Sequence, residues 1–259
     1  MNGAGRPLRR RSRRKLVVFL VVLVLLVTAG VAADFGARSF AENVVRDQIV
    51  QALALPLGSE PSVDLGPGSL LAQALTGRID SVTVAVENAK LGDFISDVEL
   101  VATGVPLDFS QPVTRVLLEL AVAESDLAPF ATMLGDAPIE SLSLIGSNIV
   151  VTSSMSLYGT TMPVMVSLAP SVLDGQLVLT PVAVTVSGVD LSLEAATQWP
   201  YSLVIAPLVQ PRPFCLAQYL PRAMVLTQAT VNDGSLRLTF VADDVVAADG
   251  GLTTLGTCP

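Results

Sequence analysis

The sequence predicts a β-dominated α+β domain built on antiparallel strands, and three observations support this fold class. Apolar and polar residues alternate with a period of two in eight segments from residue 78 to residue 241, the pattern of half-buried strands. Residues 35–55 and 127–134 have apolar residues at helical spacing instead. Turn sequences such as Asp174-Gly175 separate alternating segments, and such dipeptides favour hairpins between antiparallel strands.

The first elements along the chain are a basic segment, residues 1–15, and an apolar segment, residues 16–33. Seven of the 15 basic residues stand in the first segment, and the second carries no charge. A helix over the apolar segment would rise about 27 Å, close to the roughly 30 Å hydrocarbon core of a membrane. Positive charge beside an apolar span stays in the cytoplasm. The sequence therefore predicts a transmembrane anchor or signal sequence that places residues 34–259 outside the cytoplasm, in the periplasm or cell envelope.

Two outcomes are open for the apolar segment. Its length favours a retained, single-pass membrane anchor, because the apolar part of a signal peptide usually has about 7 to 15 residues. Its last residues are small, and cleavage near Ala33 would release a secreted domain. The domain is therefore expected to be either tethered to the membrane or secreted.

Residues 35–55 are predicted to form an amphipathic helix that packs on a sheet. Apolar side chains such as Phe40 and Val44 recur at helical spacing, and Arg38 and Glu42 lie on the opposite side. The series of strands begins after this helix, where valines at residues 82, 84 and 86 alternate with other residues. The other predicted strands are residues 95–103, 114–122, 139–151, 154–168, 176–186, 224–231 and 235–241.

The segment at residues 199–220 interrupts the alternation. It contains four prolines, the single Trp and two of the three Tyr residues. Since proline cannot donate a backbone hydrogen bond to a sheet, the segment is predicted to be an irregular connection. The alternative is an aromatic rim of a cavity or a membrane-facing edge.

Residues 34–259 are acidic and rich in apolar residues. They hold eight basic residues against 23 acidic ones, a formal charge of −15. Because nucleic-acid binding depends on neutralising phosphates with Lys and Arg, no nucleic-acid partner is expected. More than half of these residues are apolar when glycine is included, above the usual fraction of about 45–50%. The excess is typical of a large β core or of an apolar groove that holds a lipid.

Residues suited to catalysis are scarce. The chain has no His, which removes the commonest general base and most zinc sites. Asp243 with Asp244, or Glu124 with Asp126, are carboxylate pairs of the kind that a glycosidase uses, but a chain with one Trp offers few rings on which sugars could stack. We therefore expect a protein that is not an enzyme and that uses no metal or cofactor.

Cys215 and Cys258 are the two cysteines of the chain. In an oxidising compartment, an even pair of cysteines predicts one disulfide. Their wide separation matches no compact metal-binding motif. The bond would hold the C-terminal tail against the rest of the domain.

Turn glycines and apolar alternation recur in a set order, in Gly66-Pro67-Gly68-Ser69-Leu70-Leu71, Gly77-Arg78-Ile79-Asp80-Ser81-Val82, Leu220-Pro221 and Asp233-Gly234. This order resembles the LmeA-like family of actinobacterial envelope phospholipid-binding proteins along most of residues 34–250. The resemblance implies a tubular lipid-binding fold of the TULIP or BPI-like type, in which a curved antiparallel sheet wraps a long N-terminal helix. It also implies a groove for the acyl chains of a phospholipid and no catalytic residue.

The leading hypothesis is an extracytoplasmic phospholipid-binding protein that supports the upkeep of envelope lipids or lipoglycans. The residues expected to line its groove lie on one face of the strands and of the helix: Val44, Val82, Val84, Val86, Leu177, Leu179, Val184, Val186, Leu238 and Phe240. The alternative hypothesis is an envelope scaffold without a lipid site, which binds a partner such as a glycosyltransferase through its acidic surface.

Overall fold

The computed structural model describes most of the chain from residue 61 onward and a few residues before it. The described residues are 34, 36, 39, 42, 43, 61–91, 94–108, 110–133, 139–157, 159–196, 212–232, 234–246, 249, 251 and 254–258. The predicted basic segment, the predicted membrane segment and Val44 lie outside them. Within the described part, no helix combines the length and the apolar character that crossing a bilayer requires. The five described residues from 34 to 43 have helical backbone, and the full length of the helix predicted over residues 35–55 stays a prediction.

From residue 61 onward, the described regular structure comprises twelve strands and three short α-helices. The strands are β1 (Ser62–Asp64), β2 (Arg78–Leu91), β3 (Phe94–Pro106), β4 (Pro112–Ala123), β5 (Ile139–Ile145), β6 (Asn148–Leu157), β7 (Thr160–Leu173), β8 (Gln176–Val186), β9 (Val189–Leu191), β10 (Arg212–Phe214), β11 (Val225–Asn232) and β12 (Ser235–Val246). The helices are α1 (Leu70–Thr76), α2 (Ala128–Met133) and α3 (Leu193–Ala196). Short 3-10 turns occupy Glu124–Asp126 and Ala217–Tyr219.

The strands form two sheets, and every strand pair within them is antiparallel. The first sheet has the order β1-β2-β3-β4-β12-β11, and the second has the order β10-β8-β7-β6-β5, with β9 beside β8. The chain leaves the first sheet after β4, builds the second sheet, and returns to the first with β11 and β12. The β-dominated, antiparallel class predicted from the alternation is confirmed, and the alternating runs are divided between two sheets.

The main core lies where apolar faces of the two sheets meet, with β11 packed against β7 and β8. Alternation places one set of side chains from each strand in this core. The most deeply buried members include Val151, Val164, Leu177 and Leu236, each with 0% exposure. Burial of a side chain of this size stabilises the fold by about 1.5–3 kcal/mol. A smaller, separate cluster joins β1, α1 and β2.

Glycines divide two of the predicted strands. Residues 139–151 form β5 and part of β6, because Gly146 has a φ of 62° and the chain turns there. The predicted strand at residues 154–168 likewise crosses a turn at Gly159, where φ is 81°. Glycine adopts a positive φ without a steric penalty, so it suits the tight turns of hairpins. The hairpin predicted at Asp174-Gly175 is confirmed, with φ values of 51° and 73°.

Gly104, in β3, lies against the neighbouring strand β4, where there is no room for a side chain. Its φ is 61°, and a β carbon at this position would collide with the side chain of Thr114 on β4. We expect Gly104→Ala to lower the free energy of unfolding by about 2–3 kcal/mol, through backbone strain and the collision together. Urea denaturation followed by circular dichroism measures the loss.

Gly146→Ala is the matched control for this prediction. Gly146 has nearly the same φ, 62°, but a β carbon there would meet nothing within 4 Å. It should therefore show only the strain, about 1–2 kcal/mol. Equal losses for the two variants would contradict the collision with Thr114.

Candidate functional site

The inner face of the first sheet carries a row of side chains along β3: Ser96, Val98, Leu100 and Ala102. They share a face because successive side chains of a strand point to opposite sides. The antiparallel register sets residues 98, 100 and 102 of β3 opposite residues 86, 84 and 82 of β2, and opposite residues 120, 118 and 116 of β4. The three strands therefore present one continuous apolar surface.

This surface is covered unevenly. On β4, Val116 is 3% exposed and Leu118 is 7% exposed, whereas Val98, Leu100 and Ala102 on β3 are only half-buried. Two β2 residues are half-buried in the same way. We call the half-buried set the apolar strip: Val82, Val84, Val98, Leu100 and Ala102. It lies between the main core on one side and the small cluster around α1 on the other.

The length of the apolar strip suits one acyl chain. From Ser96 to Ala102, β3 advances by about 20 Å at the usual rise of a strand. One leaflet supplies half of the roughly 30 Å hydrocarbon core, so an acyl chain spans about 15 Å. The strip itself, from Val98 to Ala102, covers about 13 Å of this length. A chain lying along β3 would therefore contact apolar side chains over most of its length.

A small cavity lies at the Ser96 end of the apolar strip. Its volume is about 40 Å³, which is room for about one water-sized group. A cavity of this size does not hold an acyl chain, and the strip is the surface available to one. The cavity is lined by β3, β4, β12, α2 and the segment before β11, through Ser96, Leu120, Val122, Phe130, Leu216, Tyr219, Leu220, Leu238 and Phe240.

Ser96 gives this apolar cavity a polar group. The residue is 3% exposed, and its Oγ has no hydrogen-bond partner. Leaving a buried hydroxyl without a partner costs about 1–3 kcal/mol. Ligand sites typically combine an apolar lining with a few polar groups that fix the orientation of the ligand. The Ser96 hydroxyl is therefore free to bond with a polar atom of a ligand that enters the cavity.

One wall of the cavity is a segment that we call the strap, residues 215–220. Cys215 at its start is bonded to Cys258, with 5.7 Å between the Cα atoms. The amide of Gly256 donates to the carbonyl of Leu220 at 2.9 Å, and Pro221 and Leu255 form an isolated β-bridge. The C-terminal tail therefore holds the strap at both of its ends.

The residues expected from the sequence to line a groove fall into separate places. Val82 and Val84 belong to the apolar strip, and Val86 shares their face of β2 at 4% exposure. Leu238 and Phe240 line the cavity.

The four residues expected on β8 lie elsewhere. They are buried in the main core and line neither the strip nor the cavity: Leu177, Leu179, Val184 and Val186. The members of the candidate site on β3 and on the strap are not among the residues predicted from the sequence to line a groove. The alternation of Ser96, Val98, Leu100 and Ala102 was visible in the sequence, but nothing local showed that this strand would be the less covered one.

A second, larger groove of about 280 Å³ lies between α2 and β5. Its lining mixes apolar side chains with the carboxylates of Glu124 and Glu140. Because a carboxylate beside an acyl chain would lose hydration without gaining a partner, this groove suits an acyl chain less well than the apolar strip does.

Two of the carboxylates that a glycosidase could use, Asp243 and Glu124, have structural partners. Asp243 accepts a hydrogen bond from Arg115 Nε at 2.7 Å on the outer face of the first sheet, and this bond and its charge raise the pKa of Arg115. Glu124 Oε2 accepts from the amide of Leu144 at 2.7 Å. Among the residues that the structure describes, no group of His, Cys, Asp and Glu side chains could hold a metal ion.

The sequence of this chain matches a known protein family. The profile of a family described as LmeA-like phospholipid-binding matches residues 32–241, a range that includes the whole apolar strip. No curated protein and no solved structure matches the chain.

Proposed function

This chain belongs to the LmeA-like phospholipid-binding family, and we propose that it holds a phospholipid with an acyl chain laid along the apolar strip. One observation carries the proposal: the strip is a half-buried apolar surface, about 13 Å long from Val98 to Ala102, and it leads to a buried hydroxyl without a partner, that of Ser96. Each methylene that leaves water contributes about 0.8 kcal/mol. The lipid's ester group would bond with Ser96, and its acyl chain would extend from there toward Ala102.

The tubular, wrapped architecture that the family resemblance implies is also part of the proposal. In it, the helix predicted over residues 35–55 runs beside the first sheet and covers part of the apolar strip. Helical backbone at the described residues from 34 to 43 supports the start of such a helix. Lipid binding would then be a non-enzymatic activity, in keeping with a family that is defined by phospholipid binding.

We further propose that the domain works outside the cytoplasm, tethered by residues 16–33 or released by cleavage near Ala33. The basic residues before the apolar segment support this orientation. The bond between Cys215 and Cys258 also supports it, because disulfides persist in oxidising compartments. In the cell envelope, a protein of this kind would support the upkeep of lipids or lipoglycans.

The decisive experiment is lipid analysis of residues 34–259 after secretion and purification without detergent. We expect organic extraction and mass spectrometry to find about one phospholipid per protein, since the strip accommodates one acyl chain at a time along β3. An unrelated secreted protein prepared in parallel controls for carried-over lipid. A folded preparation with no more lipid than that control would refute the proposal and favour an acidic scaffold that binds a partner protein.

A further inference from the structure

Helix α1 exposes apolar side chains on an element that has no charge. Its sequence, Leu70–Thr76, contains only apolar residues, Gln73 and a terminal Thr. Leu71 is 43% exposed and Leu75 is 91% exposed. They are four residues apart and therefore share a side of the helix. Leu107, which is 49% exposed, follows the end of β3, where its amide donates to the carbonyl of Gly77 just after the helix.

Exposed leucines are ordinary when they are single, but a contiguous exposed apolar patch marks an interaction surface. We call the exposed side of α1 around Leu71 and Leu75 the α1 surface. The residues between the two leucines, Ala72 and Ala74, are exposed as well. Another large exposed side chain, Ile145, stands at a hairpin turn. The α1 surface is therefore an exposed apolar patch of the kind that marks an interaction site.

The position of Asp34 indicates what covers the α1 surface. Asp34 is the first residue after the apolar segment at residues 16–33. Its Oδ1 accepts hydrogen bonds from Ser69 Oγ and from the amide of Leu71, both at 3.0 Å. These bonds fix the beginning of α1 to the point where the predicted membrane span ends. If residues 16–33 span the bilayer, α1 lies at its outer surface.

The other side of α1 faces the proposed lipid site. Leu70 is 9% exposed and packs in the small cluster with Val63 and Leu65, against which Val82 and Val84 of the apolar strip are also packed. The helix therefore stands between the membrane surface and the Ala102 end of the strip. Ser96 lies at the opposite end. This order, apolar near the bilayer and polar away from it, is that of a phospholipid in the outer leaflet.

Resting on the proposed function, we infer that α1 is a membrane-contact element and that lipid reaches the strip beside it. Leu71 and Leu75 insert into the outer leaflet of the bilayer. A phospholipid rises past α1 with its ester group leading toward Ser96 and its acyl chain trailing toward the membrane. Since the domain is strongly acidic, this contact relies on apolar burial rather than on attraction to anionic headgroups.

The test uses the full chain, reconstituted into vesicles of phosphatidylcholine and phosphatidylglycerol that carry spin-labelled phosphatidylcholine as a quencher. A fluorophore is attached to Leu75→Cys, and the introduced thiol is the single free one because the native cysteines are paired. We expect the quencher lipid to reduce emission at this position roughly twofold, as for a side chain buried at the interface.

Ile145→Cys is the matched control, because Ile145 is 61% exposed at the other end of the domain. Arg78, just after α1, donates to the carbonyl of Pro112 at the start of β4. At the far end of β4, Glu124 accepts from the amide next to Ile145, that of Leu144. The length of β4 separates the two labels by roughly 36 Å, so we expect no quenching at position 145.

The outcomes separate this inference from the proposed function. If the lipid analysis finds phospholipid but the two labels are quenched equally or not at all, membrane contact by α1 is wrong and lipid binding stands. If position 75 is quenched but the protein carries no lipid, membrane contact stands and the strip is not a lipid site. A shift in emission at position 75 without quenching would mean that a second copy or another protein covers α1, and would overturn the inference.

Photocrosslinking of the chain to lipid provides a second measurement in the same vesicles. We expect Leu75→Glu to lower photocrosslinking of the chain to a photoactivatable phosphatidylcholine by about tenfold, because the inserted leucine is replaced by a charge. Ile145→Glu should leave the yield unchanged. Both positions are exposed, so neither change disturbs the fold, and equal yields for the two variants would overturn the inference.

Discussion

We expect lipid occupancy of the domain to fall at least tenfold when Leu100 is replaced by Asp. Leu100 lies at the middle of the apolar strip, between Val84 on β2 and Leu118 on β4. A carboxylate at this point would retain its hydration shell, and the bound water would separate the acyl chain from the strand. Loss of contact with two methylenes alone is worth about 1.6 kcal/mol, which is more than a factor of ten in affinity. The measurement is phospholipid per protein after extraction from purified residues 34–259.

Val101→Asp is the control for Leu100→Asp. Val101 is the next residue of the same strand and is also half-buried, but its side chain points to the outer face, between Thr83 and Leu117. It should therefore keep its lipid. Equal loss in the two variants, with both folded by circular dichroism, would show that the strip is not the lipid site.

Ala102→Phe provides an independent check if Leu100→Asp destabilises the domain. The ring would occupy the space in which we place the acyl chain, so lipid should be excluded by volume rather than by charge. In a fully packed core such an insertion costs about 1–3 kcal/mol. At a half-buried position we expect a smaller change in unfolding free energy and an empty protein. A destabilised protein that still carries lipid would place the acyl chain elsewhere.

The second large effect concerns the bond between Cys215 and Cys258. We expect the double variant Cys215→Ser, Cys258→Ser to lose about 4 kcal/mol of unfolding free energy, the chain-entropy value for a loop of this length. The two residues are 43 positions apart, so the bond removes many conformations from the unfolded chain. Urea denaturation of the wild type and of the variant, each with and without reductant, measures the loss.

Reductant should lower the stability of the wild type to that of the double variant and leave the variant unchanged. If the wild type is insensitive to reductant, the bond contributes nothing to stability. The strap adds a functional consequence, because Leu216, Tyr219 and Leu220 wall the cavity next to Ser96. Without the bond we expect weaker retention of lipid, but a smaller loss than with Leu100→Asp, since the apolar strip itself is intact.

The path proposed for lipid joins three parts of the chain that are remote in sequence. The segment at residues 16–33 would hold the domain at the membrane, α1 would touch the outer leaflet, and the apolar strip would receive the acyl chain. Asp34 connects the first two parts through its bonds to Ser69 and Leu71. If the segment is cleaved near Ala33, the same surface of α1 would mediate a reversible membrane contact. The N-terminal residue of the mature protein, determined by sequencing, decides between a tethered and a shuttling protein.

Several features of this protein were determined by local sequence and could be predicted from it. Alternation with a period of two follows from the geometry of a single strand, so it identified the strands and the antiparallel, β-dominated class. The hairpin at Asp174-Gly175 needs only two residues that tolerate a positive φ. The family was recognised from the order of such turns and strands, and the profile match over residues 32–241 confirmed it.

What the tertiary structure decided is which of these similar strands carries the candidate site. Val184 on β8 and Leu100 on β3 occupy alternating runs of the same kind, yet Val184 is 1% exposed within the main core and Leu100 is half-buried. The difference arises from pairing and packing between distant segments, such as β4 with β12. Local pattern sets which way a side chain points, but only its distant neighbours set how much of it is covered. For the same reason, the unpartnered hydroxyl of Ser96 could be identified only in the folded chain.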